Sequence, residues 1–258
     1  MTSEGLIKEF KAGELAVRIY ENRQFMGEAA AKVVAEKMRK VIARKGMVSM
    51  VFAAAPSQEE FLAALRSMKN LEWHKVIAFH LDEYVGITSD LPQSFRKFLK
   101  DRLFDKVDIG KVYLINGDAE DLKKEAERYS NLLRKYGLDI ACVGIGENGH
   151  LAFNDPHVAD FNDPLMVKVV ELDEVCRWQQ VHDGCFPSIE LVPKKAITLT
   201  MPTIFNADFI SAVVPASSKA EAVKKTVYGP ISTSCPASIL RKHKDAILFL
   251  DRDSASLL

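Results

Sequence analysis

Residues suited to acid–base catalysis are concentrated in one short segment, 142–156, with the sequence Cys-Val-Gly-Ile-Gly-Glu-Asn-Gly-His-Leu-Ala-Phe-Asn-Asp-Pro. An apolar run ends there in three glycines, and Asn148, His150 and Asp155 fall within eight residues of one another. An imidazole transfers protons near neutral pH, and a carboxylate partner fixes its tautomer. The segment therefore predicts a catalytic histidine, with Asn148 and Asp155 in the same candidate site.

The glycines of this segment allow two interpretations. Gly144, Gly146 and Gly149 match the Gly-x-Gly-x-x-Gly pattern of dinucleotide-binding loops, which requires a helix directly after the third glycine. The residues that follow include Asn-Asp-Pro, a turn signal that disfavours a helix. The interpretation we favour is that Gly146 and Gly149 let the backbone approach a small ligand, and the dinucleotide site is the alternative.

A second candidate is the acidic pair Asp82 and Glu83, which follows the apolar run 76–79. In open α/β sheets, ligands bind at the carboxyl ends of the strands. Adjacent strand residues point to opposite faces, so at most one of the two carboxylates is expected to face a ligand directly. The alternative is a pair of solvated loop carboxylates.

A third candidate is an anion site at Pro215-Ala-Ser-Ser-Lys219, which connects a predicted strand to a predicted helix. Backbone amides, the Ser217 hydroxyl and Lys219 at a helix N-terminus predict a phosphate cradle, with an ordinary serine cap as the alternative. Arg177 is a further possible anion ligand.

Apolar runs and helical periodicity alternate along the chain and predict the elements that position these residues. We predict strands at 16–20, 48–55, 76–79, 112–115, 140–143, 166–171, 196–200, 209–214 and 246–251, and helices at 22–44, 61–68, 94–104, 118–136, 219–227 and 236–241. Asn22, Ser57 and Asp118 are the expected helix caps. The alternation predicts a single α/β domain, 1–258, with a doubly wound, mostly parallel sheet and helices on both faces.

Composition excludes several classes of partner. The chain has 258 residues, with 35 Lys and Arg balanced by 35 Asp and Glu, so it is not expected to bind nucleic acid or a membrane surface. Its four cysteines are scattered, the histidines show no metal-ligand spacing, and the first ten residues lack a signal pattern. We expect a cytoplasmic protein without a metal ion or other cofactor.

Two motifs together, Leu81-Asp-Glu-Tyr-Val-Gly86 and Gly144 through Pro156, resemble those of the glucosamine-6-phosphate deaminase/isomerase family. The resemblance extends from the first long helix to the final strand. It implies a Rossmann-like fold without a nucleotide, and an enzyme of the hydrolase or isomerase type that needs no cofactor. The implied reaction converts glucosamine 6-phosphate to fructose 6-phosphate and ammonia.

The resemblance also implies catalytic roles. Asp82 corresponds to the general base that moves a proton between C2 and C1 through an enol intermediate, and His150 to the histidine that assists opening of the pyranose ring. Asn148 stands where many members have an aspartate. Asp155 replaces the glutamate that orients the histidine; being one methylene shorter, it is expected to reach the imidazole only if the loop shifts.

For the substrate phosphate, the resemblance points to Lys219, Arg177 and Ser217. Ala53-Ala-Ala-Pro-Ser57 occupies the place of the family's glycine-rich phosphate loop, which makes Ala54 and Ala55 candidate phosphate-binding residues and leaves substrate identity less determined than reaction class. The alternatives are another phosphosugar, such as galactosamine 6-phosphate, and a non-catalytic sugar-phosphate sensor. A homo-oligomer is a possible assembly.

Overall fold

The computed structural model describes residues 4–258; residues 1–3, the start of the segment without a signal pattern, lie outside the described part. In chain order the strands are β1 (Leu6–Ala12), β2 (Leu15–Tyr20), β3 (Val48–Phe52), β4 (Val76–His80), β5 (Asp82–Tyr84), β6 (Lys111–Val112), β7 (Ile140–Val143), β8 (Val167–Glu171), β9 (Lys195–Leu199), β10 (Phe209–Val214) and β11 (Ala246–Asp251). The helices are α1 (Arg23–Lys45), α2 (Glu59–Ser67), α3 (Phe95–Leu99), α4 (Leu122–Tyr136), α5 (Glu174–His182), α6 (Met201–Phe205) and α7 (Ala220–Tyr228).

Eight strands form the main sheet in the order β1-β2-β11-β10-β7-β3-β4-β6. All neighbours pair in parallel except β1 and β2, which form an antiparallel hairpin at one edge. From β3 the chain proceeds to β4 and β6 on one side, and from β7 to β10 and β11 on the other. The switch between these directions lies between β3 and β7, the position where open α/β sheets bind ligands.

Helices cover both faces of this sheet. One apolar layer joins α1, α2 and α3 to side chains of β3 and β4, including Met50 and Ala78. The other layer joins α4, α6 and α7 to the opposite face through residues such as Val51 and Phe79. The predicted doubly wound, mostly parallel α/β fold is therefore confirmed, and no helix within residues 4–258 is long and apolar enough to cross a membrane.

Helix α1 begins and ends where its sequence signals predict. The Asn22 side chain accepts a hydrogen bond from the Phe25 amide, and Gly46 adopts a left-handed φ of 79° while its amide donates to the Ile42 carbonyl. A glycine tolerates this conformation because it has no Cβ. Two predicted caps are wrong. The residue that caps α4 is Asp121 and not Asp118, which pairs with Arg96 at 3.0 Å. At α2, Ser57 makes no capping hydrogen bond.

Several predicted elements differ from the structure. The predicted strands 166–171 and 196–200 are found, but as β8 and β9 they pair antiparallel with each other, and β9 pairs with β5 in a separate three-stranded sheet. Apolar alternation identifies a strand but not its partner. The strand predicted at 112–115 is reduced to β6, and the helix predicted at 236–241 is a 3-10 helix, Pro236–Lys242.

Candidate active site

A cavity opens at the carboxyl ends of β3, β4, β7 and β10, beside the switch between β3 and β7. It is lined by Ala53, Ala54, Ala55, Ser57, Leu81, Asp82, Phe95, Gly144, Ile145, Gly146, His150, Ala152, Phe153, Gln179, Gln180 and Lys219. Six residues that the sequence predicted for the site are among them: Ala54, Ala55, Asp82, Gly146, His150 and Lys219. The fold therefore brings both candidate motifs to one place.

Asp82 is the carboxylate that faces this cavity. It is buried in the first position of β5, and burial raises its pKa well above the usual range, with the charges of Glu83 and Asp155 acting in the same direction. A carboxylate held this way is a stronger base than a solvated one, because little water stabilises its charge. Asp82 is thus suited to accept a proton from a bound carbon acid.

The adjacent Glu83 points away from the cavity, as strand alternation predicts. Its carboxylate accepts hydrogen bonds from the Ser94 hydroxyl at 2.8 Å and from the Arg96 guanidinium at 3.1 Å. It also accepts the backbone amides of Phe95 and Arg96, at the start of α3. Glu83 therefore anchors the loop that carries Phe95 into the cavity wall.

His150 is held by a hydrogen-bond network on its Nδ1 side. Its Nδ1 lies 2.7 Å from Asn148 Oδ1 and 3.0 Å from Asp155 Oδ1. Asn148 Nδ2 donates to Asp155 and to Asp173, both at 3.0 Å, and Asp155 Oδ2 accepts the Asp173 amide at 3.1 Å. Two acceptors at Nδ1 favour a proton on that nitrogen, so Nε2 of the neutral ring is an acceptor for a substrate hydroxyl.

The turn after His150 explains how the shorter carboxylate reaches the ring. Ala152 has a left-handed φ of 51°, and Leu151 and Asn154 form an isolated bridge. Asn154 Nδ2 donates to the carbonyls of Leu151 and Leu199, which fixes this turn against β9. The turn places Asp155 within hydrogen-bond distance of the imidazole.

Burial alone raises the pKa of Asp155. The hydrogen bond and charge of His150, followed by bonds from Asn148 and the Asp173 amide, outweigh it and lower the pKa to about 2. Asp155 is therefore ionised throughout the neutral range, which is the state that orients and stabilises a protonated imidazole.

Gly146 leaves the space that the His150 ring occupies. A Cβ built at this position would lie 2.1 Å from His150 Cε1 and 2.2 Å from Nε2. Gly149 has a different role: its φ is 86°, and a Cβ there would lie 2.6 Å from Cys235 Sγ. Gly149 therefore packs the loop against the protein and does not line the cavity.

Changing Gly146 to alanine is expected to lower kcat/KM by about 10²-fold, because the methyl group must displace the His150 ring by roughly an ångström. Gly46→Ala is the control, since that glycine has a positive φ but nothing within 4 Å. The control variant is expected to lose about 1 kcal/mol of stability and to keep the turnover of the native chain. Steady-state kinetics and thermal unfolding of both variants are the measurements, and equal turnover by Gly146→Ala and the native chain would contradict this role of Gly146.

The predicted anion site is represented in the cavity by Lys219. Its side chain is 5% exposed, and among the described residues its Nζ has no hydrogen-bond partner; the nearest carboxylate oxygen, Glu147 Oε1, is 3.8 Å away. Burial lowers the pKa of Lys219, and the charges of Asp183 and Glu147 act against that effect. A buried ammonium group that makes no hydrogen bond is a site for a ligand anion.

Two other predicted anion ligands lie away from the cavity. Arg177 turns its guanidinium to the carbonyls of Ile189 and Val192, where it ties α5 to the following 3-10 turn. Ser217 is exposed at the start of the 3-10 turn Ser217–Lys219. The arginine thus fixes the loop after α5 and the serine faces solvent, and neither residue lines the cavity.

Gln179 and Gln180 line the cavity but were missed by the sequence reasoning, which selected Arg177 from the same helix. The spacing of residues along the helix could have identified both glutamines. Cys176 is an apolar residue, and positions three and four after it, Gln179 and Gln180, lie on the same helix face. All three are buried.

Two groups of potential metal-ligand atoms lie close together: those of His150, Asp155 and Cys176, and those of Asp155, His157 and Asp173. Several residues of these groups also make hydrogen bonds. Asp173 Oδ1 accepts the Cys176 amide at 2.6 Å, and His157 Nε2 lies 3.1 Å from the Glu171 carbonyl. Asp155 is shared by both groups and is already used by His150 and Asn148.

Comparison with known proteins identifies the family of this chain. Residues 21–249 match the family model described as glucosamine-6-phosphate isomerases/6-phosphogluconolactonase. The chain is 40% identical to glucosamine-6-phosphate deaminase 1 of Bacillus subtilis, over 76% of this chain and 80% of that protein. It is 35% identical to the glucosamine-6-phosphate deaminase of Listeria innocua, over 89% of this chain and 96% of that protein.

Solved structures show the same relationship. A monomeric glucosamine-6-phosphate deaminase superposes with a TM-score of 0.87 at 34% identity, covering 94% of this chain and 99% of that one. The 6-phosphogluconolactonase of Thermotoga maritima shares the fold, with a TM-score of 0.74 at 19% identity. The superposition covers 91% of this chain and 98% of that one. The chain belongs to the glucosamine-6-phosphate isomerase/6-phosphogluconolactonase family.

Proposed function

We propose that this protein deaminates and isomerises a hexosamine 6-phosphate, with glucosamine 6-phosphate converted to fructose 6-phosphate and ammonia. The observation that carries the proposal is the placement of Asp82 and His150 in one cavity: a desolvated carboxylate base faces the same space as an imidazole oriented by Asp155. Proton abstraction beside a carbonyl needs these two groups in separate positions. The deaminase relatives support the choice of an amino sugar.

In this mechanism, His150 acts first. Its Nε2 accepts the proton of the C1 hydroxyl and delivers it to the ring oxygen as the bond between C1 and that oxygen breaks, so that the pyranose opens to an aldehyde and His150 returns to its neutral form. Asp155 and Asn148 hold the imidazole in position and stabilise its charged form.

Asp82 acts on the open chain. It removes the proton from C2 while a proton of the substrate's ammonium group passes to the C1 oxygen, which gives an enol that carries the amino group, and it then returns the C2 proton to C1. The resulting C2 imine adds water and releases ammonia, leaving a ketose. Overall, one water is consumed and one ammonia is released, without oxidation or reduction.

Two further aspects of the proposal follow from the site. The substrate phosphate is bound at Lys219, whose ammonium group makes no hydrogen bond among the described residues. Because a phosphorylated sugar does not cross a lipid bilayer unaided, we infer that the enzyme works in the cytoplasm. A sensor without catalysis would have no need for the buried Asp82, whose desolvation costs folding free energy.

The test is turnover of defined substrates. Glucosamine 6-phosphate is expected to yield ammonia and fructose 6-phosphate in equal amounts, measured by coupled assays. Galactosamine 6-phosphate is the epimer control, and 6-phosphogluconolactone tests the other activity named for the family. Absence of turnover of both amino sugars would reject the proposal, and hydrolysis of the lactone alone would favour the lactonase.

A further inference from the structure

The anion end of the cavity has a single fixed positive charge. Among the residues that line the cavity, Lys219 is the one lysine or arginine. Its nearest acidic neighbour is Glu147. Glu147 Oε1 lies 3.8 Å from Nζ, and Glu147 Oε2 lies 3.5 Å from His182 Nδ1. A phosphate dianion at this place would therefore meet one cation, already shared with a carboxylate.

Helix α5 forms the wall beside this lysine. The Glu147 amide donates to Gln179 Oε1 at 2.9 Å, so the loop residue nearest Lys219 is tied to α5. Asp183, which ends α5, contributes to the electrostatic field at Lys219. The C-terminal half of α5 thus lies at the anion end of the cavity.

On this wall of the cavity, Gln180 has a side-chain amide that makes no hydrogen bond within the described part of the chain. It is 7% exposed and lines the cavity, and its amide has no hydrogen-bond partner among residues 4–258. Its neighbour is engaged, because Gln179 Oε1 accepts the Glu147 amide and Gln179 Nε2 donates to Asp183 at 3.3 Å. Neither atom of the Gln180 amide is among the buried polar atoms that lack a partner. The amide therefore keeps accessible surface, and because the residue lines the cavity a ligand there can reach it.

We propose that Gln180 is a specificity-determining residue that donates its amide to the distal anionic group of the sugar held by Lys219. With a neutral donor on this wall and one cation in the cavity lining, the site accepts a singly charged group at this position nearly as well as a phosphate dianion. The identity of the sugar rests on the proposed function; the charge preference rests on the residues of the subsite alone.

The experiment compares glucosamine 6-phosphate with glucosamine 6-sulfate above pH 7, where the phosphate is mostly a dianion because its second pKa is about 6. For the native chain, kcat/KM for the two is expected to agree within about tenfold, since one lysine gives only a limited charge preference. Gln180→Arg is expected to shift this ratio toward the phosphate by about tenfold or more, through KM, because it adds a second cation.

Gln180→Glu is the isosteric variant. It removes the donor and adds a negative charge, and is expected to raise KM for both substrates by at least about tenfold while kcat changes little. Gln24→Arg is the matched control: Gln24 is exposed on α1 and does not line the cavity, so the same charge is added outside the subsite and the ratio is expected to stay unchanged. A glutamine with a purely structural role would alter stability and leave the ratio unchanged.

Binding of inorganic phosphate and sulfate by calorimetry separates this inference from the proposed function, because it needs no turnover. Comparable affinities for the two ions in the native chain, both lost in Gln180→Glu, support the inference even if neither sugar reacts. A native preference for phosphate over sulfate beyond about 10³-fold, or unchanged anion affinity in Gln180→Glu, would overturn it, since one cation and a neutral amide do not give such selectivity.

Discussion

Asp82→Asn is expected to lower kcat by about 10²–10⁴-fold and to raise the stability of the folded protein at the same time. Turnover falls because asparagine cannot accept the C2 proton. Stability rises because the neutral amide removes a buried negative charge whose desolvation, together with the charges of Glu83 and Asp155, raises the pKa of Asp82. A residue that only supports the structure would not show these opposite effects.

The pH dependence of stability follows from the same pKa. Because the pKa of Asp82 is higher in the folded protein than in the unfolded chain, the folded protein binds the proton more tightly. The contribution of Asp82 to stability is therefore full below the unfolded pKa and is lost as the pH rises through the folded pKa. Activity has the opposite trend, since the base must be ionised: kcat/KM is expected to rise through this pH range.

Thermal unfolding measures the change in stability, and steady-state kinetics measures the change in turnover. In a chain of this size, the unfolding temperature is expected to shift by about 2–4 °C for each kcal/mol of stability. Asp105→Asn is the control, because Asp105 is an exposed aspartate outside the cavity and its replacement should change neither property. Retained turnover in Asp82→Asn would exclude Asp82 as the base, and a lower unfolding temperature would contradict the desolvation argument.

Asp155→Asn is expected to lower kcat by about 10²-fold and to destabilise the protein near neutral pH by about 2 kcal/mol. The carboxylate is buried, lies 3.0 Å from His150 Nδ1 and accepts bonds from Asn148 and the Asp173 amide. Its pKa is lowered from 3.8 to about 2, so the ionised form stabilises the fold. Loss of this charge leaves the imidazole less well oriented and its charged form less stable.

The pH profile identifies this carboxylate. A depressed pKa stabilises the folded protein above the unfolded value, and that contribution is lost as the pH falls from about 4 to about 2. Chemical unfolding of Asp155→Asn should therefore show a weaker loss of stability in this acid range than the native chain. Asp105→Asn is the control at an exposed aspartate, with turnover expected to be unchanged. The same acid profile in Asp155→Asn and the native chain would refute the role of Asp155.

Local patterns were sufficient to predict most of the framework. Asn22 and Gly46 delimit α1, because a side-chain acceptor and a residue free to adopt positive φ are local requirements of helix ends. The apolar runs of β3, β7, β10 and β11 are found as buried parallel strands. Asp82 and His150 could be selected from the sequence because polar residues directly after such strands reach the ligand-binding edge of the sheet.

The sequence by itself thus determined the α/β framework and the two chemical groups at its centre, and the tertiary structure decided which other side chains join them. Arg177 and Gln180 lie on one helix, yet the arginine binds the carbonyls of Ile189 and Val192 while the glutamine lines the cavity. Similarly, β8 and β9 leave the main sheet to pair with β5. These outcomes depend on contacts between residues distant in sequence, which local periodicity does not encode.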